Sequence, residues 1–278
     1  MVSHGRRVIG LIPAAGAARR LSPLPMSKEL FPVGFQSFGN GDARPKVAGQ
    51  YLLDRLSVAG VTEAYIILRP GKWDIPGYFG DGSAAGVHLA YLTVNVPFGV
   101  PFTLNQAYPF VRDAMIALGF PDILFWPENA YHVLLHRLAR RPAQVVLGLF
   151  PTNQPSQVGV VDIDDDGLVH GIYEKSNLTH LPFMWAMAVW KPQFTEFLHE
   201  FIEAELRTLR RTQDDASERH DRKRPPELPI GDVIHAAIRS GIRVEAEIFE
   251  AGSYLDIGTP DNLLEAIRHE MPLYGAIK

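Results

Sequence analysis

Apolar residues fall along this chain in short dense runs, separated by longer stretches in which they recur every three or four positions. The dense runs cover residues 7–12, 64–68, 87–93, 122–126, 144–149, 184–190 and 244–249, and their β-branched and aromatic content marks them as strands. Helical spacing covers 51–59, 102–118, 131–140, 193–209, 228–240 and 262–270, with Gly60 and Gly241 placed as C-caps. Residues 158–163 and 168–173 flank Asp164-Asp165-Asp166-Gly167, the mark of a hairpin closed by an Asp-Gly turn. Strands alternating with helices predict an α/β fold, a largely parallel sheet with helices on both faces. Ligands of such sheets bind beyond the carboxyl ends of the strands.

The length of 278 residues suits a single domain with two halves, 1–150 and 151–278. Residues 210–226 carry mixed charges and no apolar residue but Ala216, so an exposed charged loop is expected there. A hydrophobic fraction of 46% against 21% charged excludes global disorder. A net charge of -4 excludes a nucleic-acid binder that works by bulk positive charge. The absence of cysteine excludes a disulfide scaffold, a Cys nucleophile and a thiolate metal site, and fits a reducing, cytoplasmic compartment. No apolar run is long enough to span a membrane. Arg6-Arg7 before an apolar run imitates a twin-arginine export signal. Pro13, the following Arg19-Arg20 and the β-branched character of the run favour a buried first strand instead.

The first strand opens into Pro13-Ala14-Ala15-Gly16-Ala17-Ala18-Arg19-Arg20-Leu21-Ser22-Pro23. Small residues there let backbone amides approach a phosphate, and Arg20 and Lys28 add cations on the same loop. The segment is neither a Walker loop nor a Gly-x-Gly-x-x-Gly fingerprint. By chemistry alone, a phosphate loop and a plain βα turn with surface cations are equally open.

With Ile12 before it and Ser27-Lys28-Glu29-Leu30-Phe31-Pro32-Val33 after it, the segment resembles the signature of sugar-1-phosphate nucleotidylyltransferases, closest to the bacterial glucose-1-phosphate thymidylyl- and uridylyltransferases. The likeness continues in order through Phe79-Gly80-Asp81-Gly82-Ser83, Ile123 to Tyr131, Val158-Gly159-Val160-Val161, Glu174-Lys175 and Tyr254-Leu255-Asp256-Ile257-Gly258-Thr259-Pro260. It implies a Rossmann-like three-layer sandwich with a mostly parallel mixed sheet and a small sugar-binding β-hairpin region. It implies transfer of a nucleotidyl group from dTTP or UTP to a hexose 1-phosphate. By resemblance, Arg20 and Lys28 are catalytic and hold the reacting phosphates. Ala14, Ala15, Gly16, Ala17, Asn95 and Gly99 bind nucleotide. Asn129, Gly159, Glu174 and Lys175 bind the sugar phosphate, and Glu128 and Asp256 hold Mg2+. Such proteins are commonly homo-oligomers.

The chain departs from the family pattern at Ala18 and Arg19 in the first loop, at Pro127-Glu128 where Gly-Asp is usual, and at the base-reading position, where the usual Gln gives way to Val94, which cannot bond a base edge, or Asn95, which can. These departures keep a second reading in view, a weakened or non-catalytic binding homologue. A glycosyltransferase on a related scaffold is a third. Other constellations lead elsewhere. Asp162, Asp164 and Asp166 imitate an EF-hand, but the closing position is Tyr173, so a solvated turn is expected. His132 and His136 share a helix face without a third zinc ligand. No Ser sits in a nucleophile elbow. Trp185 is placed equally well in the sugar pocket or in plain packing.

Overall fold

In the computed structural model, residues 7–37, 42–95, 98–175, 178, 180–217 and 227–268 are described, without the side chains of 211–217. The chain opens with β1 (Val8–Pro13), whose Ile9 and Leu11 face one apolar cluster and Ile12 the other, as the two-residue period of a strand requires. A hairpin, β2 (Pro32–Ser37) and β3 (Ala43–Val47), precedes α1 (Ala48–Val58), β4 (Glu63–Leu68) and the short α2 (Asp74–Phe79). Next come β5 (His88–Thr93), α3 (Val100–Asn105), α4 (Tyr108–Val111), β6 (Met115–Gly119), β7 (Ile123–Trp126), α5 (Ala130–Arg140) and β8 (Val145–Pro151). The second half holds the β9 (Gly159–Ile163) and β10 (Val169–Glu174) hairpin, β11 (Phe183–Trp190), α6 (Pro192–Ser217), α7 (Ile230–Arg239), β12 (Val244–Ile248), β13 (Ser253–Asp256) and α8 (Pro260–Ile267).

Strands β5, β4, β1 and β6 lie side by side in parallel. Strand β11 runs antiparallel to both β6 and β8, and β12 returns parallel to β8. The β9–β10 hairpin joins the start of β11 through Met184↔Val160, beyond the carboxyl end of β6. Helices α3, α6 and α7 pack on one face with Phe102, Phe194, Leu198 and Val233, and α1 and α5 on the other with Leu52, Leu56, Tyr131 and Leu134. This is the expected three-layer α/β sandwich with a mostly parallel mixed sheet. No helix among the described residues is long and apolar enough to cross a membrane.

Three expectations need correction. Residues 102–118 are not one helix: α3 and α4 occupy the first part, and β6 is a strand. Met115-Ile116-Ala117-Leu118 is apolar throughout, so periodicity cannot tell a buried helix from a buried strand; the slot between β1 and β11 decides it. Strand β7 lies outside the main sheet, in a ribbon with β13 that shares a small core of Leu124, Leu255 and Ile257. The charged segment does not begin as a loop: α6 runs to Ser217, through Arg210, Arg211, Gln213 and Ala216, residue types with good helix propensity. Residues 218–226 lie outside the described residues.

Candidate active site

Beyond Pro13 the chain is still held to the sheet, because the Ala14 amide donates to the Ile67 carbonyl at 2.8 Å. Ala14 and Ala15 are buried on opposite faces, and the backbone first becomes open at Gly16 and Ala17. Their small side chains are therefore packing requirements, and the expected phosphate role of the Ala14 amide is corrected: it is already engaged. Gly16 and Ala17 remain available. Ala18 has a φ of +49°, so its Cβ sits in the left-handed region that glycine adopts without strain.

The loop then brings Arg20 and Lys28 to two carboxylates. The Arg20 guanidinium lies 3.8 Å from Asp256, at the end of β13. Lys28 forms a short ion pair with Asp122, in the turn just after β6. The backbone couples the two acids directly, since the Ile257 amide donates to the Asp122 carbonyl at 3.0 Å. Asp256 accepts from the Gly258 amide at 2.8 Å. Burial, with Asp122 beside it, raises the Asp256 carboxyl above the ordinary range. Burial opposes the charge on Lys28, but Asp122, Glu29 and Asp256 carry its ammonium above the usual lysine value.

Asp122 is not among the expected site residues, yet it, and not Glu128, is the acid beside Asp256. Strand β7 pairs Ile123 with Asp256 and Trp126 with Ser253, so it carries the chain about 10 Å away from Asp256 before Glu128 is reached. There Glu128 accepts from Arg55 of α1 at 2.8 Å. Asn129 shares that displacement and is exposed at the N-cap of α5. The resemblance places that acid after β7, whereas the acid that meets Asp256 follows β6.

Gly159, Glu174 and Lys175 do converge. A Cβ on Gly159 would meet the Glu174 carboxylate and the Trp185 indole nitrogen at 2.8 Å each, and one on Gly231 of α7 would meet the same carboxylate at 2.0 Å. Glycine at both places leaves room for this acid, which the Trp185 indole N–H and Gly231 amide stabilise as the anion. Burial, then Asp232, nevertheless raises its carboxyl above the ordinary value. Trp185 thus touches the pocket acid and also packs edge-on against Phe120, two residues before Asp122. Lys175 is exposed with a φ of +48°, and its amide donates to the Val158 carbonyl.

At the end of β5, Val94 is buried in the core while Asn95 is exposed. Gly99 has a φ of +119°, and a Cβ there would lie 2.1 Å from the Leu228 carbonyl oxygen. That loop therefore demands glycine whatever it binds. Asp164 accepts from the Asp166 and Leu168 amides, so the acidic hairpin is capped by its own turn, as expected.

A family model for nucleotidyl transferases matches residues 9–271. The low-salt glycan biosynthesis nucleotidyltransferase Agl11 of Haloferax volcanii is 26% identical, over 92% of this chain and 64% of its own length. A glucose-1-phosphate thymidylyltransferase of Streptomyces antibioticus is 26% identical, over 93% of this chain and 65% of its own. The chain thus spans slightly under two thirds of these relatives. A Bacillus anthracis protein assigned as a glucose-1-phosphate thymidylyltransferase, solved with sucrose, superposes with a TM-score of 0.74 at 19% identity, covering 94% of each chain. That likeness is one of fold. With the family model covering nearly the whole chain, this protein belongs to the nucleotidyl transferase family.

Proposed function

We propose that the chain catalyses sugar-1-phosphate nucleotidylyl transfer. A phosphate oxygen of a hexose 1-phosphate attacks the α-phosphorus of a nucleoside triphosphate. The new P–O bond forms as the bond to the β-phosphate breaks, and pyrophosphate leaves with the electron pair. The observation that carries this reading is the meeting of Lys28, Asp122 and Asp256 where the open loop after β1 faces the turn after β6. Phosphoryl transfer needs positive charge around the phosphoryl oxygens more than covalent help, and Lys28 and Arg20 place it there. Gly16 and Ala17 present open backbone to phosphate, and Glu174, oriented by Trp185 and Gly231, accepts sugar hydroxyls beside Gly159 and Lys175.

The acid pair suits Mg2+, which takes one or two carboxylates and completes its shell with water and substrate phosphates. Among the described residues no group of three or more His, Asp or Glu side chains is arranged for a metal, so Asp122 and Asp256 would hold it together with the substrate. When bound, magnesium supplies charge to the phosphoryl oxygens. dTTP or UTP is the proposed donor, with Asn95 offering the amide that can match a pyrimidine edge. A cytoplasmic location belongs to this reading. The buried Val94 and the strained Ala18 favour, as a second reading, a homologue that binds the same ligands without turning them over.

The test is pyrophosphate release with magnesium over five nucleoside triphosphates and a panel of sugar 1-phosphates. A signal with dTTP or UTP and one hexose 1-phosphate is expected, falling about 100-fold or more in Asp256→Ala and Lys28→Ala. Silence across the grid while nucleotide still binds would establish the second reading.

A further inference from the structure

A groove of about 450 Å³ runs between the loop after β1 and the segment joining β4 to α2. Gly16, Ala17 and Ala18 line it from the first, Arg69, Lys72 and Trp73 from the second, and Lys28 lines it too. Asn95 and Gly99, the proposed base contacts, do not line it.

The cations of this groove differ in their engagement. Lys28 is held by Asp122. Lys72 is buried against Glu29, 2.6 Å away. The Arg69 side chain has no hydrogen bond or ion pair among the described residues, and its Nε is buried without a partner. The backbone holds it in place. Arg69-Pro70-Gly71-Lys72 forms a turn closed by the Lys72 amide on the Arg69 carbonyl at 3.3 Å, with Gly71 at a φ of +95°. Proline second and a left-handed glycine third is the type II pattern. Arg69 directly follows β4, the strand beside β1, so it stands over the carboxyl edge where the phosphate loop begins. A buried guanidinium N–H without an acceptor is costly unless a ligand supplies one.

We propose that Arg69 binds the terminal phosphates of the nucleotide and the pyrophosphate they become, a role that rests on the nucleotidylyl-transfer reading above. The fork of the guanidinium matches phosphate oxygens, and the open amides of Gly16 and Ala17 face it across the groove. Arg69 thereby acts on the part of the substrate that leaves. It holds β- and γ-phosphates in the forward direction and pyrophosphate in reverse, and makes no contact with the NDP-sugar product.

The reverse reaction separates this role from others, because pyrophosphate and NDP-sugar are independent substrates there. In Arg69→Met the KM for pyrophosphate should rise about 10- to 100-fold, in line with loss of charged hydrogen bonds, while the KM for NDP-sugar stays within about twofold. Arg69→Lys should recover part of the loss, keeping charge without the fork. Thermal unfolding should show Arg69→Met no less stable than the parent, since it removes an unsatisfied buried donor. An unchanged KM for pyrophosphate would overturn the proposal. So would a joint rise in the KM values for NDP-sugar and triphosphate with pyrophosphate unaffected, which would place Arg69 at the base. Calorimetric titration with inorganic pyrophosphate alone keeps the two readings apart. Weaker binding in Arg69→Met, in a protein that makes no NDP-sugar, would support this site and sink the reaction. Equal binding in both proteins, or none in the parent, would sink the site whatever the turnover assay gives.

Discussion

Asp122 and Glu128 are acids at opposite ends of β7, and their surroundings differ. Asp122 faces Lys28 and shares the field of Asp256. Glu128 is half in water and serves the buried guanidinium of Arg55. Asp122→Ala should therefore lower turnover about 100-fold or more, from the loss of charge aimed at the phosphates. Glu128→Ala should keep turnover within about twofold and lower stability by about 2–3 kcal/mol, because it leaves the buried Arg55 guanidinium without its acceptor. Steady-state rates and thermal unfolding of both variants check this. Comparable loss of turnover in Glu128→Ala would restore it as a metal-site acid.

At the scale of elements, the single 3₁₀ turn at Lys28–Leu30 has too few hydrogen bonds to hold Lys28 alone. Glu29 anchors it from behind, joined to Lys72 on the turn after β4; both side chains are almost wholly buried. Burial pushes the Glu29 carboxyl up and the Lys72 ammonium down, so each would be strongly disfavoured as a lone charge. Lys72→Met should cost about 3–5 kcal/mol, whereas Lys72→Met with Glu29→Gln should recover most of it, since neither charge is then stranded. Chemical denaturation of the single and double variants measures this. Equal destabilisation in both would show that packing, and not the pair, holds the turn.

At the scale of the molecule, the Glu174 pocket is assembled from β9, β10, β11 and α7, which meet only in the folded chain. Burial, then Asp232, raises its carboxyl above 4.5, the ordinary glutamate value. As pH climbs past that value the unfolded chain loses this proton before the folded chain does, so the contribution of Glu174 to stability is present below it and lost above. Glu174→Gln escapes that loss and keeps an acceptor for the Trp185 indole. Its thermal midpoint should gain on the parent as pH rises from acid to neutral, while sugar-dependent turnover falls. A difference in midpoint that stays flat with pH would show that Glu174 titrates normally.

The sequence by itself determined the α/β class, the buried first strand, the loop of small residues with Arg20 and Lys28, and the hairpin closed at Gly167. These follow from local periodicity, turn chemistry and a loop motif whose residues lie close together in the chain. Only the tertiary structure decided that Met115–Gly119 is a strand, since a wholly apolar run has no period to read. That one decision moved the carboxyl end of a central strand from Trp126 to Gly119, and with it the proposed second acid from Glu128 to Asp122. The Glu29–Lys72 pair, the glycine cradle of Glu174 and the unpartnered Arg69 were hidden for the same physical reason: burial and charge pairing are properties of neighbours in space, and these neighbours are far apart along the chain.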